Sequence, residues 1–183
     1  MSTADSVGAD DDLRLFVALT LPDAVREALV EWGDEVLTAG RRVRRDDLHI
    51  TVAFLGRRPR ADLATVSETL EDAGRDAGQF ELEPVRWRET RSVGMVVFAD
   101  STGEAGRLAA DVHTRLENAG VYRREVRTWL PHVTVLRFRE RPRLQPALPP
   151  LGPFAPSGLA AFLSRLHQSG ARYEVLESVP LGG

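Results

Sequence analysis

Leu48-His49-Ile50-Thr51-Val52 has a near copy in Pro131-His132-Val133-Thr134-Val135. Each places His-x-Thr inside an apolar, β-branched run, the composition of a strand. Side chains alternate across a strand, so His49 and Thr51 share one face while Ile50 and Val52 take the other. The same alternation groups His132 with Thr134, opposite Val133 and Val135. A lone strand histidine is ordinarily structural. Two histidines with identical threonine partners point instead to a paired site, in which two imidazoles and two hydroxyls converge on one cleft.

The surrounding segments repeat the same order. Arg14 to Leu21 reads as a strand, and Pro22-Asp23 opens a helix over Ala24–Thr38 with Val25, Leu29, Trp32, Val36 and Leu37 on one side. A short strand near Val43 leads to the strand Leu48–Leu55, closed by Gly56. A helix over Ala61–Ala73 follows, then strands Phe80–Trp87 and Val93–Ala99. A third helix over Glu104–Ala119, capped by Gly120, precedes the strand Thr128–Phe138. Arg14–Leu55 and Val93–Phe138 are thus both strand, helix, strand, and each ends in His-x-Thr. This implies an α+β chain of two lobes related by a pseudo-twofold axis, with the motif strands facing each other. Prolines 142, 146, 149, 150, 153 and 156 make Arg139–Pro156 a long stiff loop. Gly158–Leu166 and Arg172–Leu181 read as a hairpin about Gln168-Ser169-Gly170.

At 183 residues, 43% hydrophobic and 28% charged, the chain has the composition of an ordinary globular domain. Met1 to Asp12 is small, polar and acidic and lacks the regions of a signal peptide, so residues 1–12 read as a disordered tail and 13–183 as one bilobal domain. No apolar run approaches the roughly 18–20 residues of a membrane span. The absence of cysteine excludes disulfides and thiolate metal sites, and a cytoplasmic setting follows by default. A net charge of −3 argues against broad nucleic-acid binding. Every basic side chain is nonetheless arginine. Clusters occur at 41–45, 57–60, 123–127 and 137–143, three of them near a motif. They read either as solvated surface or as a positive rim for an anionic ligand, since the planar guanidinium suits phosphate oxygens.

Histidine titrates near neutrality, so two of them can divide the work of taking a proton from water and giving one to a leaving oxygen. Thr51 and Thr134 supply hydroxyl donors for non-bridging phosphate oxygens. A zinc site is a weaker reading, because no carboxylate stands at matching positions and threonine is a poor zinc ligand. A Ser-His-Asp hydrolase lacks its G-x-S-x-G elbow. His113, mid-helix, reads as surface or half-buried, and His167 as surface.

The two motifs resemble those of the 2H phosphoesterase superfamily, and more narrowly those of the bacterial and archaeal RNA 2′,3′-cyclic phosphodiesterases, also called 2′-5′ RNA ligases. The resemblance rests on Arg14 to Leu19, on Leu48 to Gly56 with its trailing Phe-Leu-Gly, on Pro131 to Arg137 and on Gly170 to Leu176. It implies antiparallel sheets flanking a central cleft, with helices packed outside. It also implies hydrolysis of RNA 2′,3′-cyclic phosphate ends to 2′-phosphomonoesters by a monomer that acts on RNA 3′ ends or cyclic nucleotides, with no metal, cofactor or membrane. His49 then protonates the leaving 3′ oxygen, His132 activates water, Arg137 lies near the phosphate and Phe16 lines the base side. Strict alternation places Arg137 opposite His132, so it joins the site only if the strand twists or bulges. Leu130 departs from the family, which often carries a basic residue there. The alternatives are 2′-5′ ligation, the reverse chemistry, and a nucleotide-binding module without turnover.

Overall fold

The computed structural model describes residues 12–182, so most of the acidic tail expected at 1–12 lies outside the described residues. Strand β1 (Leu13–Thr20) is followed by α1 (Asp23–Val36), the two-residue β2 (Arg41–Arg42), β3 (Ile50–Arg58), α2 (Asp62–Asp76), β4 (Glu83–Glu89) and β5 (Val93–Ala99). Then come α3 (Glu104–Asn118), β6 (His132–Arg137), β7 (Gly158–His167) and β8 (Gly170–Val179). The strands form two antiparallel four-stranded sheets, ordered β3-β1-β7-β8 and β2-β6-β5-β4. The α+β reading with two antiparallel sheets therefore holds.

β1 is buried from Leu15 to Leu19 because both of its faces are covered. Leu15, Val17 and Leu19 join the main core, while Phe16 and Ala18 pack with Ala160 and Phe162 in a small cluster on the other face. α1 carries Val25, Leu29 and Trp32 one helical turn apart, and its Trp32 ring meets Trp87 of β4 with centroids 6.1 Å apart. α2 and α3 pack on each other; α2 also lies on β7 and β8, and α3 on β3. α3 thus reaches the sheet opposite to the strands it joins, β5 and β6, while α2 links one sheet to the other and stays on the sheet of β3. At Gly74 of α2 an added Cβ would stand 2.7 Å from the Pro180 carbonyl oxygen, so the helix approaches the end of β8 only because that residue is glycine.

Both motif strands begin later than the sequence suggests. A single 3₁₀ turn at Arg45–Asp47 precedes the first motif, and His49 stands just ahead of β3 rather than inside it. β3 continues past Gly56, whose φ of +73° lets the strand turn without ending. β6 begins at His132 rather than Thr128, because Pro131 has no amide hydrogen to enter the ladder.

The more consequential departure from regular strand is a pair of bulges. Val17 faces Ala53 and Ala18 faces Thr51, so Val52 is an extra residue in β3. Gly94 faces Leu136 and Met95 faces Thr134, so Val135 is an extra residue in β6. Each motif therefore bulges at the residue after its threonine. A bulge breaks alternation and re-aims the side chains beyond it. Val135 and Leu136 are both buried and Arg137 turns outward, which brings it to the side of His132 and Thr134.

Candidate active site

His49, Thr51, His132, Thr134, Arg137 and Phe16 all line one cleft of about 560 Å³ between the two sheets. The two imidazoles are anchored identically. His49 Nδ1–H donates to the carbonyl of Asp47 at 2.7 Å, and His132 Nδ1–H donates to the carbonyl of Leu130 at 2.7 Å. Each acceptor lies two residues before its histidine. The bond fixes the tautomer, so the Nε2 of a neutral ring carries the lone pair toward the cleft. His49 Nε2 lies 3.0 Å from Thr51 Oγ, as expected for two side chains on one face.

The environments of the rings differ. His49 sits on an aromatic bed, 4.9 Å from Phe16, 5.8 Å from Phe162 and edge-on to Tyr173 at 5.3 Å between centroids. Phe16 stacks on Phe162 at 4.9 Å and is only 3% exposed, so it backs the histidine more than it faces the cleft. Burial in this bed lowers the His49 pKa from the usual 6.5 to about 4, with smaller contributions of the same sign from His132 and Arg137. Burial lowers that of His132 as well, and Arg127 and Arg88 push the same way. Burial raises the carboxyl of Asp47, the one acidic residue in the cleft.

The carbonyls of the first motif are held by side chains. Trp129 Nε1–H donates to Thr51 O at 2.9 Å, and His113 Nε2–H donates to the bulged Val52 O at 2.7 Å. His113 is 8% exposed and stacks on Tyr122 at 5.2 Å, so it is a buried residue and not a surface one. Its place on the apolar face of α3, with Ala109 and Leu116, was the available signal. In the second motif the bulged Val135 carbonyl accepts the main-chain amide of Val43 at 2.9 Å. His167 is exposed, as expected.

Several site residues are not apparent from the motifs. Phe54 is 60% exposed and borders both the cleft and a second groove behind it, lined by Trp129, Leu130, Val126, Arg88 and His113. Phe54 follows His49 by the same interval that Arg137 follows His132. The equivalent bulges therefore present a phenyl ring in one half and a guanidinium in the other. Arg14, Arg41, Arg42, Arg44 and Arg172 complete the cleft wall. Among the described residues, no three His, Cys, Asp or Glu side chains gather as a metal-ligand set, and no helix is long and apolar enough to cross a membrane.

The family model described as the 2′-5′ RNA ligase superfamily matches residues 21–169. An RNA 2′,3′-cyclic phosphodiesterase of Thermus thermophilus is 31% identical over 182 residues, spanning 93% of this chain and 91% of that protein. The fold is similar to that of Escherichia coli LigT complexed with 3′-AMP, with a TM-score of 0.80 and 22% identity over 94% of this chain and 100% of that one. It is also similar to TT0787 of Thermus thermophilus, with a TM-score of 0.78 and 29% identity over 93% of this chain and 99% of that one.

Proposed function

The chain belongs to the 2′-5′ RNA ligase superfamily, and from that premise we propose that it hydrolyses RNA 2′,3′-cyclic phosphate ends to 2′-phosphomonoesters without a metal. The observation that carries the proposal is the pair of identically anchored imidazoles, each lining one cleft with its Nδ1 engaged by a main-chain carbonyl and a threonine hydroxyl on the same face. The naming of the Thermus thermophilus relative supports the substrate class.

In this reading one imidazole takes a proton from water as its oxygen bonds to phosphorus. The bond from phosphorus to the 3′ oxygen breaks, and the other imidazole gives that oxygen a proton. The products are a 2′-phosphomonoester and a 3′ hydroxyl. Thr51 and Thr134 donate to the non-bridging oxygens, and Arg137 balances the charge that develops on them. Each proton transfer is worth roughly 10²–10⁴-fold. Family resemblance assigns His49 as the acid and His132 as the base.

The electrostatics favour the reverse division. With its pKa near 4 the free His49 is neutral at pH 7, ready to accept a proton, and His132 is the less perturbed ring and so the easier one to charge. A bell-shaped pH profile does not distinguish the two, because both need one protonated and one neutral imidazole. A substrate with sulfur in place of the leaving 3′ oxygen does, since a thiolate leaves without a proton. The alanine variant of the acid regains activity on it, and the variant of the base does not. EDTA leaves wild-type turnover unchanged; inactivation by EDTA, reversed by a divalent cation, would end the metal-free reading.

A further inference from the structure

The arginines of the first cleft exceed what one cyclic phosphate requires. Arg14, Arg41, Arg42, Arg44, Arg137 and Arg172 face it, against the single carboxylate of Asp47. Arg42 is held by Asp34 at 2.7 Å and Arg41 donates to the Ser169 carbonyl at 2.8 Å. Among the described residues, Arg14, Arg44 and Arg172 enter no salt bridge and no side-chain hydrogen bond, and neither does Arg137. A cyclic phosphodiester carries one negative charge, answered by the two motifs and Arg137. Arg14 on β1, Arg44 before the 3₁₀ turn and Arg172 on β8 remain without an anion, although three separate elements aim them at one cavity.

The groove on the other flank of the histidines is different. Arg124 is tied to Glu117 at 3.1 Å and Arg127 to Glu125 at 2.7 Å, which leaves Arg88 amid Phe54, Val126, Trp129 and Leu130. Free positive charge is therefore concentrated on one side of the catalytic pair. Arginine planes along a cleft, with an exposed aromatic ring at its end, make a track for a single strand: the guanidinium groups take successive phosphates and Phe54 offers a face to the terminal base.

We propose that the RNA strand upstream of the cyclic phosphate leaves the histidine pair along the wall of Arg14, Arg44 and Arg172, and that the enzyme acts on oligonucleotide ends in preference to cyclic mononucleotides. This rests on the hydrolase reading above and adds the direction of the strand. The shared ligand chemistry is a row of phosphates attached through the 5′ oxygen, and an RNA strand fits it because the three arginines come from three elements and not from one cluster.

The test is a series of substrates of rising length with EDTA present: a 2′,3′-cyclic mononucleotide, a dimer and a tetramer with cyclic ends, and a cyclic mononucleotide bearing a 5′-triphosphate. The ratio of kcat/KM for tetramer to mononucleotide is expected to be about tenfold or more. Its log–log dependence on salt should steepen by about 0.7 per phosphate engaged. In the variant combining Arg44→Gln and Arg172→Gln the ratio falls toward one and the added slope disappears, while Arg88→Gln leaves both in place. A ratio near one in the wild type overturns the proposal, as does one that survives the double variant or follows Arg88 instead. An equal gain from the 5′-triphosphate also overturns it, because clustered charge would then suffice. Failure of the hydrolase reading is separable by measuring the Kd of oligomers ending in a 2′-phosphate, which needs no turnover. Length-dependent binding lost in the double variant upholds the strand path even where no cyclic end is cleaved.

Discussion

Val52 and Val135 are the extra residues of equivalent bulges, yet the carbonyls these bulges free are capped by different chemistry. Val135 O accepts a main-chain amide, that of Val43, beside the short strand β2. Val52 O accepts the imidazole of His113, from a helix that belongs in sequence to the other half of the chain. The reason lies in sheet order. β6 has a neighbour on each side, whereas β3 is an edge strand whose outward carbonyls need partners from elsewhere. One motif is therefore held by backbone and tolerates changes of side chain. The other depends on two side chains, His113 and Trp129. The residues after the bulges diverge likewise, into Arg137 and Phe54. A duplicated frame has acquired a charged half and an aromatic half, which is what a ligand with a phosphate at one end and a base at the other requires.

The largest effect expected comes from removing either imidazole. His49→Ala and His132→Ala should each lower kcat on a 2′,3′-cyclic nucleotide by about 10²–10⁴-fold, with circular dichroism and Tm confirming that both variants fold. The double variant should be little worse than the poorer single one, because two residues that act as a unit lose their contribution together. Additive losses would mean that the two halves work independently, and near wild-type activity in either variant would dissolve the pairing altogether.

A second difference between the halves should appear in acid. The folded pKa of His49, about 4, lies below its ordinary 6.5. The unfolded chain therefore takes up a proton that the folded chain refuses. Stability is at its full value above 6.5 and is lost as pH falls toward 4, by about 3 kcal/mol for a shift of that size. Denaturant unfolding at pH 7 and pH 4.5 should show that His49→Phe reduces this acid loss. His132→Phe should reduce it less. Equal reductions would remove the electrostatic distinction on which the reversed acid–base assignment rests.

The sequence shows the pair of motifs because period-2 alternation and a repeated strand–helix–strand order survive in local composition. It hides the bulges. Val52 and Val135 are β-branched residues in β-branched runs, and nothing local marks them as extra; the register against β1 and β5 does. Arg137 therefore looks misplaced under strict alternation and comes to the site only through the bulge at Val135. Sheet partners are hidden for the same reason, as is the crossing of α3 to the other sheet, without which His113 passes for a residue of no consequence. Of the arginine wall, the sequence shows only the part that falls in the 41–45 cluster, Arg44; Arg14 on β1 and Arg172 on β8 are brought beside it by the fold and belong to no cluster.

The smallest effect bears most directly on how the two motifs are held. His113→Leu leaves the Val52 carbonyl buried without a donor, which costs about 1–3 kcal/mol. If the bulge sets the direction of Thr51, kcat on the cyclic nucleotide falls while KM moves little, because the hydroxyl is then misaimed when charge develops. His113→Gln keeps an N–H within reach of the same oxygen and should recover part of both losses. Val43→Ala is the matched control: it trims a side chain and leaves the capping amide of the second motif in place, so its cost is one of packing and kcat stays near the wild-type value. A His113→Leu protein that is destabilised but keeps full kcat would show that the cap supports the fold alone. Equal losses of kcat in His113→Leu and Val43→Ala would show that the difference between a side-chain cap and a main-chain cap has no bearing on the chemistry.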